Sequence, residues 1–146
     1  GGGQERGLRP GTLPVALVAG FGLCAELAAS EFAERADRCL QFKEALLENL
    51  GELNPQVHGD PDRTMPHTIN FSVGELDSEV AMLALKGVVA ISNGSACTSA
   101  TYEPSYVLKA MGLSEEQAST AMRWSWCHDT PQPDWAEVVA NVRRYL

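Results

Sequence analysis

The chain has 146 residues, a formal net charge of −8 and a pI near 4.8, with 45% hydrophobic and 21% charged residues. This length and balance are typical of one ordinary soluble globular domain. The acidic charge argues against nucleic acid as a direct partner, because backbone phosphates are bound by Lys and Arg.

The longest nonpolar run covers 13 residues, 13–25, and contains one proline and two glycines. A membrane-spanning helix needs about 20 apolar residues, so we interpret this run as a buried segment and expect no membrane partner. The N-terminus lacks the basic and apolar regions of a signal peptide, which favours a cytoplasmic protein. The chain begins with Gly1-Gly2-Gly3, which is typical of a tight loop or a linker.

The four cysteines are Cys24, Cys39, Cys97 and Cys127, and no two have the spacing of a C-x-x-C metal or redox motif. Reduced thiols are therefore expected. Cys24 lies in the apolar run and Cys39 on a helical pattern, so both are interpreted as small core residues. The three histidines have no partner at metal-ligand spacing, and no metal site is predicted.

The first half of the chain predicts one long helix followed by one strand. Apolar residues at helical spacing extend over 13–50, and Gly51 and Pro55 end the pattern. Strict alternation over 68–73 then predicts a strand with its apolar residues on one face; these are Ile69, Phe71 and Val73.

The second half predicts helices and strands that alternate, so the fold class is mixed α and β. Asp77 or Ser78 is expected to cap a helix through 85, and Ser114 begins the pattern of a capping box. Asp134 is expected to cap a final helix whose apolar stripe is Trp135, Val138, Val142 and Leu146. Between these lie a short buried strand at 88–91, a helix at 104–112 and a strand at 122–127.

Cys97 is the first candidate for chemistry. It lies in the segment 92–100, where its neighbours are small and Gly94 gives the backbone freedom. Such a segment leaves a thiol accessible, as a reactive cysteine requires. The composition alone slightly favours the alternative, a small cysteine packed under a serine-rich turn.

Arg123 is the second candidate, because it stands in the middle of the predicted strand 122–127. A guanidinium at such a place favours a carboxylate partner from the protein or from a ligand, since its donors match a carboxylate bidentately. By pattern alone an internal salt bridge or a solvent-facing residue of an edge strand is the more common case.

The segment 7–14 is the third candidate. Arg9 and Thr12 precede the long helix, whose N-terminal amides can bind an anion. A threonine at that position is more often an N-cap. None of the three lysines, Lys43, Lys86 and Lys109, lies in the apolar context of a Schiff-base lysine.

Four stretches distributed over nearly the whole chain carry a resemblance to one family: GGGQERGLRPGTLP at 1–14, PHTINFS at 66–72, SNGSACTSATYEPSYVLKAMGL at 92–113 and RWS at 123–125. In this order they resemble the cysteine desulfurases of the NifS/IscS-like branch, which are class V aminotransferase-like enzymes dependent on pyridoxal 5′-phosphate (PLP).

The resemblance implies a reaction and a role for each candidate. In such enzymes PLP binds L-cysteine, and a loop cysteine attacks the substrate sulfur, which releases alanine and leaves a persulfide for a protein sulfur acceptor. Cys97 corresponds to that cysteine, and Arg123 to the arginine that binds the substrate carboxylate. Thr12, with Arg9, corresponds to a loop that reaches the PLP phosphate of the other subunit of a homodimer.

The resemblance also implies that this chain is the C-terminal part of a fold-type I PLP enzyme. Residues 1–53 correspond to the end of the large cofactor domain and a linking helix, and 54–146 to the small domain. The lysine that holds PLP belongs upstream of Gly1, so a second polypeptide supplies the rest or the sequence is truncated. The alternative is a stand-alone sulfur-carrier or scaffold module without PLP chemistry.

Within the family, two stretches resemble the DndA-like desulfurases of DNA phosphorothioation more than those of iron–sulfur cluster assembly. They are 92–94 and 124–128. If DNA modification is the pathway, the acidic charge implies that a partner protein touches the DNA. The sequence assigns no role to Cys127.

Overall fold

The structure, a computed structural model, describes residues 1–93 and 105–146. Within it the chain forms two compact units, Gly1–Glu34 and Arg35–Leu146. The division of the chain into a cofactor-domain end (1–53) and a small domain (54–146) stays a prediction. Cys97 lies outside the described residues.

The described residues form five helices and three strands, with short 3₁₀ turns at 4–7, 51–53 and 61–63. In chain order they are α1 (Val15–Asn49), β1 (Gln56–Val57), β2 (Thr68–Ser72), α2 (Ser78–Ala84), α3 (Tyr106–Ala110), α4 (Glu115–Ser119), β3 (Met122–Ser125) and α5 (Trp135–Arg143). The predicted mixture of helices and strands is confirmed.

The first unit contains the N-terminal turns and the beginning of α1. The apolar run 13–25, expected to be buried, is instead exposed in the structure, and Cys24 with it. The predicted burial of the run 13–25 and of Cys24 is therefore wrong. Apolar composition favours burial, but the first unit contains no element that packs against these residues. The large exposed side chains are Leu13, Val15, Leu17, Val18, Phe21, Leu23 and Leu27.

One described helix, α1, is long and apolar enough to cross a membrane by length and composition alone. Its apolar window has a mean hydropathy of 1.6, and none of that window is buried. Helical apolar character therefore continues past the uninterrupted run 13–25, and the expectation of no membrane partner stays a prediction. Core helices of soluble proteins share the same length and composition.

The second unit is built on a three-stranded antiparallel sheet in the order β1-β2-β3. In the β2–β3 register Ile69 lies opposite Trp124 and Phe71 opposite Met122. These four side chains all lie on the buried face, with at most 4% of each exposed. The alternation predicted for 68–73 is confirmed, and β3 shows the same alternation of buried and exposed side chains.

The core lies between this sheet face, α2, α5 and the second half of α1. Burial on α1 recurs at helical spacing in Cys39, Phe42 and Leu46, so the prediction of a buried Cys39 is confirmed. The ring of Phe42 stacks on Trp126 with centroids 4.9 Å apart. The indole Nε1 of Trp126 donates a hydrogen bond to the Cys39 carbonyl at 2.9 Å, which satisfies a buried donor.

Side-chain caps fix the starts of three helices, as the sequence predicts. Asp77 accepts hydrogen bonds from two backbone amides of α2, and Asp134 accepts one from Glu137 at the start of α5. Ser114 and Gln117 form the reciprocal capping box of α4. Each cap satisfies amides that the helix itself leaves unpaired.

The predicted strand at 88–91 does not form. The amides of Val88 and Val89 both donate to the Leu85 carbonyl, which continues a turn after α2, and Gly87 takes a positive φ of 91°. Pairing begins only at Ser92, in an isolated bridge to Arg123. The predicted apolar stripe of α5 also ends early, since Leu146 is 58% exposed.

Candidate functional site

The second face of the sheet is polar and borders a cavity of about 520 Å³. Because side chains alternate along a strand, Thr68, Asn70 and Ser72 lie on the face opposite Ile69 and Phe71. The cavity lies against this face, the 58–65 loop and α3. Its polar and charged lining residues are His58, Asp60, Arg63, Thr64, Thr68, Asn70, Ser105 and Arg123.

Arg123 lines this cavity from the edge strand β3. Its main chain is fixed on both sides, by β2 and by the bridge to Ser92, where the two N···O distances are 3.1 and 2.7 Å. No carboxylate among the described residues pairs with its guanidinium. The internal salt bridge considered for Arg123 is thus not found among the described residues. Arg123 is instead an exposed residue of an edge strand.

Residues on both sides of the segment that carries Cys97 are associated with Arg123. Ser92 pairs with the main chain of Arg123, and Ser105 lines the same cavity as Arg123. Ser105 then precedes α3 as its N-cap residue.

A hydrogen-bonded network on the polar face was missed by the sequence interpretation, which treated the histidines as uninformative. His58 Nδ1 lies 2.7 Å from Asn70 Oδ1, and His58 Nε2 lies 2.9 Å from Ser72 Oγ. Ser72 is 6% exposed. The sequence did contain one indication of this network. The polar positions of the 68–73 alternation, Thr68, Asn70 and Ser72, predict a second, polar face of the strand that can make contacts of its own.

Arg9 and Thr12 lie close together in the first unit. The Arg9 guanidinium donates to the carbonyls of Gly11 at 3.2 Å and Thr12 at 3.0 Å, so it holds the turn before α1. The Thr12 hydroxyl makes no hydrogen bond within the described residues, and it does not act as an N-cap of α1. It remains available as a donor to an anion.

The described residues offer no group of three or more His, Cys, Asp or Glu placed to hold a metal ion. Two of the lysines are engaged in polar contacts. Lys43 donates to the Thr64 hydroxyl at 2.6 Å, and Lys109 pairs with Glu115 at 2.6 Å. This pairing lowers the pKa of the Glu115 carboxyl, mainly through the hydrogen bond.

Cys127 and Cys39 have thiols in opposite environments. Burial raises the pKa of the Cys39 thiol. Cys127 is exposed, and its pKa is lowered, first by a hydrogen bond from the Thr130 hydroxyl and then by the backbone amide of Asp129. Thr130 Oγ1 lies 3.5 Å from the Cys127 sulfur.

Several longer proteins are similar in sequence to nearly all of this chain. No protein-family model matches the chain. Cysteine desulfurase IscS of Vibrio cholerae is 39% identical over 144 residues, which is 98% of this chain and 35% of the relative. The cysteine desulfurase of Homo sapiens is 44% identical over 126 residues, 85% of this chain and 27% of the relative.

The relatives of this chain are cysteine desulfurases. The chain corresponds to a C-terminal segment of these IscS- and NifS-like proteins and spans about a third of the length of the curated relatives it matches.

Solved structures agree with the sequence relatives. A NifS-like protein has a TM-score of 0.71 at 27% identity, with 99% of this chain and 36% of that chain covered. DndA from Streptomyces lividans has a TM-score of 0.62 at 38% identity, with 87% and 36% covered. SspA, solved in complex with cysteine, has a TM-score of 0.55 at 31% identity, with 86% and 33% covered.

Proposed function

We propose that the chain is the C-terminal part of a PLP-dependent cysteine desulfurase, which converts L-cysteine to L-alanine and an enzyme-bound persulfide. The observation that carries this proposal is the cavity that Arg123 lines. Ser105, after the segment containing Cys97, lines the same cavity, and Ser92, before that segment, pairs with the main chain of Arg123. The cysteine desulfurases among its relatives, and the cysteine bound by SspA, support it.

Arg123 is proposed to bind the α-carboxylate of L-cysteine. Its guanidinium lines a cavity large enough for a small amino acid and has no carboxylate partner among the described residues. A guanidinium and a carboxylate form two parallel charge-assisted hydrogen bonds, which orient the ligand as well as bind it. The fixed main chain of Arg123 places those donors at the cavity wall.

Cys97 is proposed to be the nucleophile and persulfide carrier. Its thiolate attacks the sulfur of the substrate, so that a new S–S bond forms while the substrate Cβ–S bond breaks. The electron pair of that bond stays with the substrate carbon, which takes up a proton and leaves as part of alanine. The thiolate form is required, because the neutral thiol is a poor nucleophile.

PLP, when bound, supplies the electron sink for this reaction. Among the described residues, the Thr12 hydroxyl fits a phosphate ligand because it is a donor without a partner before α1. Arg9 contributes by holding the Thr12 turn through its two carbonyl contacts. We propose that this turn contacts the cofactor phosphate across a homodimer, and that the PLP lysine lies in the remainder of a longer cytoplasmic protein.

The exposed apolar side chains of 13–27, which we call the α1 apolar surface, are proposed to be covered by that remainder. Contiguous exposed apolar surface of this kind marks an interaction site. The chain's span of about a third of its relatives leaves ample polypeptide to cover it.

The sulfur acceptor is proposed to be a protein of a DNA phosphorothioation system. The stretches 92–94 and 124–128 and the likeness to DndA at 38% identity support this pathway. Overall identity does not separate it from the alternative, iron–sulfur cluster assembly, because IscS of Vibrio cholerae matches at 39%. Measuring persulfide transfer from the intact protein to purified acceptors of each pathway tests it. Equal or faster transfer to the iron–sulfur scaffold would contradict this assignment.

The Arg123→Ala variant tests the substrate site in the intact protein. We expect its KM for L-cysteine to rise about 10- to 100-fold, because two charge-assisted hydrogen bonds are lost. The steady-state rates of alanine and sulfide release, which should be equal, are measured against L-cysteine concentration and give the KM of each variant. Arg144→Ala is the matched control, since Arg144 is an exposed arginine that does not line the cavity. An unchanged KM in Arg123→Ala would remove Arg123 from the substrate site.

A further inference from the structure

Asn70 is the neighbour of Arg123 across the β2–β3 pair. The two residues lie opposite each other in the register, so their side chains share one face of the sheet. Both line the same cavity of about 520 Å³. Any ligand group held by the guanidinium in this cavity therefore lies close to the Asn70 side chain.

The orientation of the Asn70 amide is fixed by His58. The carbonyl oxygen Oδ1 only accepts hydrogen bonds, so the contact of 2.7 Å requires that His58 Nδ1–H donates to it. His58 Nε2 contacts the hydroxyl of the buried Ser72 at 2.9 Å. Both ring nitrogens are thus engaged, and the ring cannot turn without breaking two contacts.

This arrangement turns the amide nitrogen Nδ2 of Asn70 away from His58. Its two N–H donors make no hydrogen bond within the described residues, although the side chain is half-buried. A donor that lines a cavity can bond water or a ligand that enters the cavity. A ligand acceptor beside Arg123 would satisfy one of these donors.

We propose that Asn70 donates a third hydrogen bond to the α-carboxylate that Arg123 binds, and that His58 and Ser72 are the positioning residues that hold its amide. This inference rests on the proposed function, because it extends the same substrate site. A carboxylate has about four lone-pair positions, so it can accept two bonds from Arg123 and one from Asn70. The arrangement selects ligands with a free carboxylate over the corresponding amides.

The test uses the intact longer protein and two competitive ligands, L-alanine and L-alaninamide, which differ only at the carboxylate. The ratio of their inhibition constants measures recognition of the carboxylate, apart from any general loss of activity. We expect Asn70→Ala to reduce the preference for L-alanine about tenfold, the loss of one hydrogen bond to a charged group. Asn70→Asp should reduce it further, because its charge repels the carboxylate and competes for Arg123.

His58→Phe tests the positioning role. The ring volume is kept and both hydrogen bonds are lost, so the Asn70 amide is free to flip. We expect the preference for L-alanine to fall about threefold, less than in Asn70→Ala, because the donor is still present for part of the time. Asn49→Ala is the matched control; Asn49 is an exposed asparagine of α1 that does not line the cavity.

The outcomes separate the inference from the proposed function. An Asn70→Ala protein with the wild-type preference, beside an Arg123→Ala protein that loses it, would overturn the role of Asn70 and leave the function intact. A wild-type protein that releases no alanine from L-cysteine would instead overturn the function. Equal losses in Asn70→Ala and Asn49→Ala would also overturn the inference, since they would show a general effect.

Discussion

At the scale of single residues, the sequence identified chemical types better than it identified contacts. Arg123 was recognised because a guanidinium in the middle of an alternating strand is unusual, and the structure places it on a cavity wall. His58 was overlooked because its partners, Asn70 and Ser72, lie on β2, 12 and 14 residues further along the chain. Sequence spacing contains no information on such a contact until the sheet register is known.

Cys127 provides a test of residue-scale electrostatics. Hydrogen bonds lower its pKa, so the thiolate fraction persists to lower pH than in an ordinary thiol and falls only as pH drops through the lowered pKa. We expect Thr130→Val to shift the midpoint of Cys127 alkylation to higher pH, since the largest cause of the shift is removed.

The measurement is the pH dependence of iodoacetamide labelling, with the Cys127 peptide quantified by mass spectrometry. Thr130→Ser keeps the hydroxyl and should keep the wild-type midpoint. A Thr130→Val midpoint at or below that of the wild type would show that the hydroxyl does not stabilise the thiolate.

At the scale of elements, local sequence patterns predicted the first residues of helices and the buried faces of strands well. They predicted poorly which segments pair in the sheet. The capping box at Ser114 and the alternation of β2 and β3 depend on nearby residues and were found in the structure. The strand predicted at 88–91 does not form, because Val88 and Val89 belong to a turn that continues after α2. A short apolar run contains no signal that distinguishes these two outcomes.

Ser114→Ala tests the capping box of α4. The Ser114 hydroxyl accepts the Gln117 amide at 3.2 Å, and Gln117 Oε1 accepts the Ser114 amide at 2.9 Å. We expect the substitution to destabilise α4 by about 1 kcal/mol, as for other lost N-caps. Hydrogen exchange at the Gln117 amide measures it. Ser114→Asp keeps a capping acceptor and should exchange like the wild type; identical exchange in Ser114→Ala would contradict the capping role.

At the scale of the whole molecule, the α1 apolar surface marks the limit of the sequence interpretation. The composition predicted that the run 13–25 is buried, whereas the described residues leave it exposed, and a single chain cannot show whether another polypeptide covers it. The same limit applies to Cys97, whose role is implied by the resemblance of the 92–113 stretch and whose position lies outside the described residues. The second unit, by contrast, follows closely from its helical and strand periodicity, because its core partners lie within the chain.

Phe21→Asp tests whether the α1 apolar surface is an interface with the rest of the longer protein. Phe21 is 77% exposed here. If the remainder covers it, the substitution should destabilise the intact protein by about 3–5 kcal/mol through lost packing and a buried charge. Thermal unfolding of the intact protein measures the effect.

Leu83→Asp is the matched control for this surface, because Leu83 of α2 is 71% exposed in the second unit. We expect it to leave the unfolding temperature nearly unchanged. Equal tolerance of both substitutions would contradict a covered α1 apolar surface. An intact protein that sediments with membranes and is released by Phe21→Asp would show that lipid covers it instead.

The central claim, a desulfurase whose persulfide is carried by Cys97, is tested most directly by mass spectrometry of the intact protein after incubation with L-cysteine. We predict one additional sulfur atom on the peptide that contains Cys97, and none in Cys97→Ala, while that variant still binds L-cysteine. Undiminished sulfur transfer by Cys97→Ala, or the additional sulfur on Cys24, Cys39 or Cys127 alone, would contradict the claim.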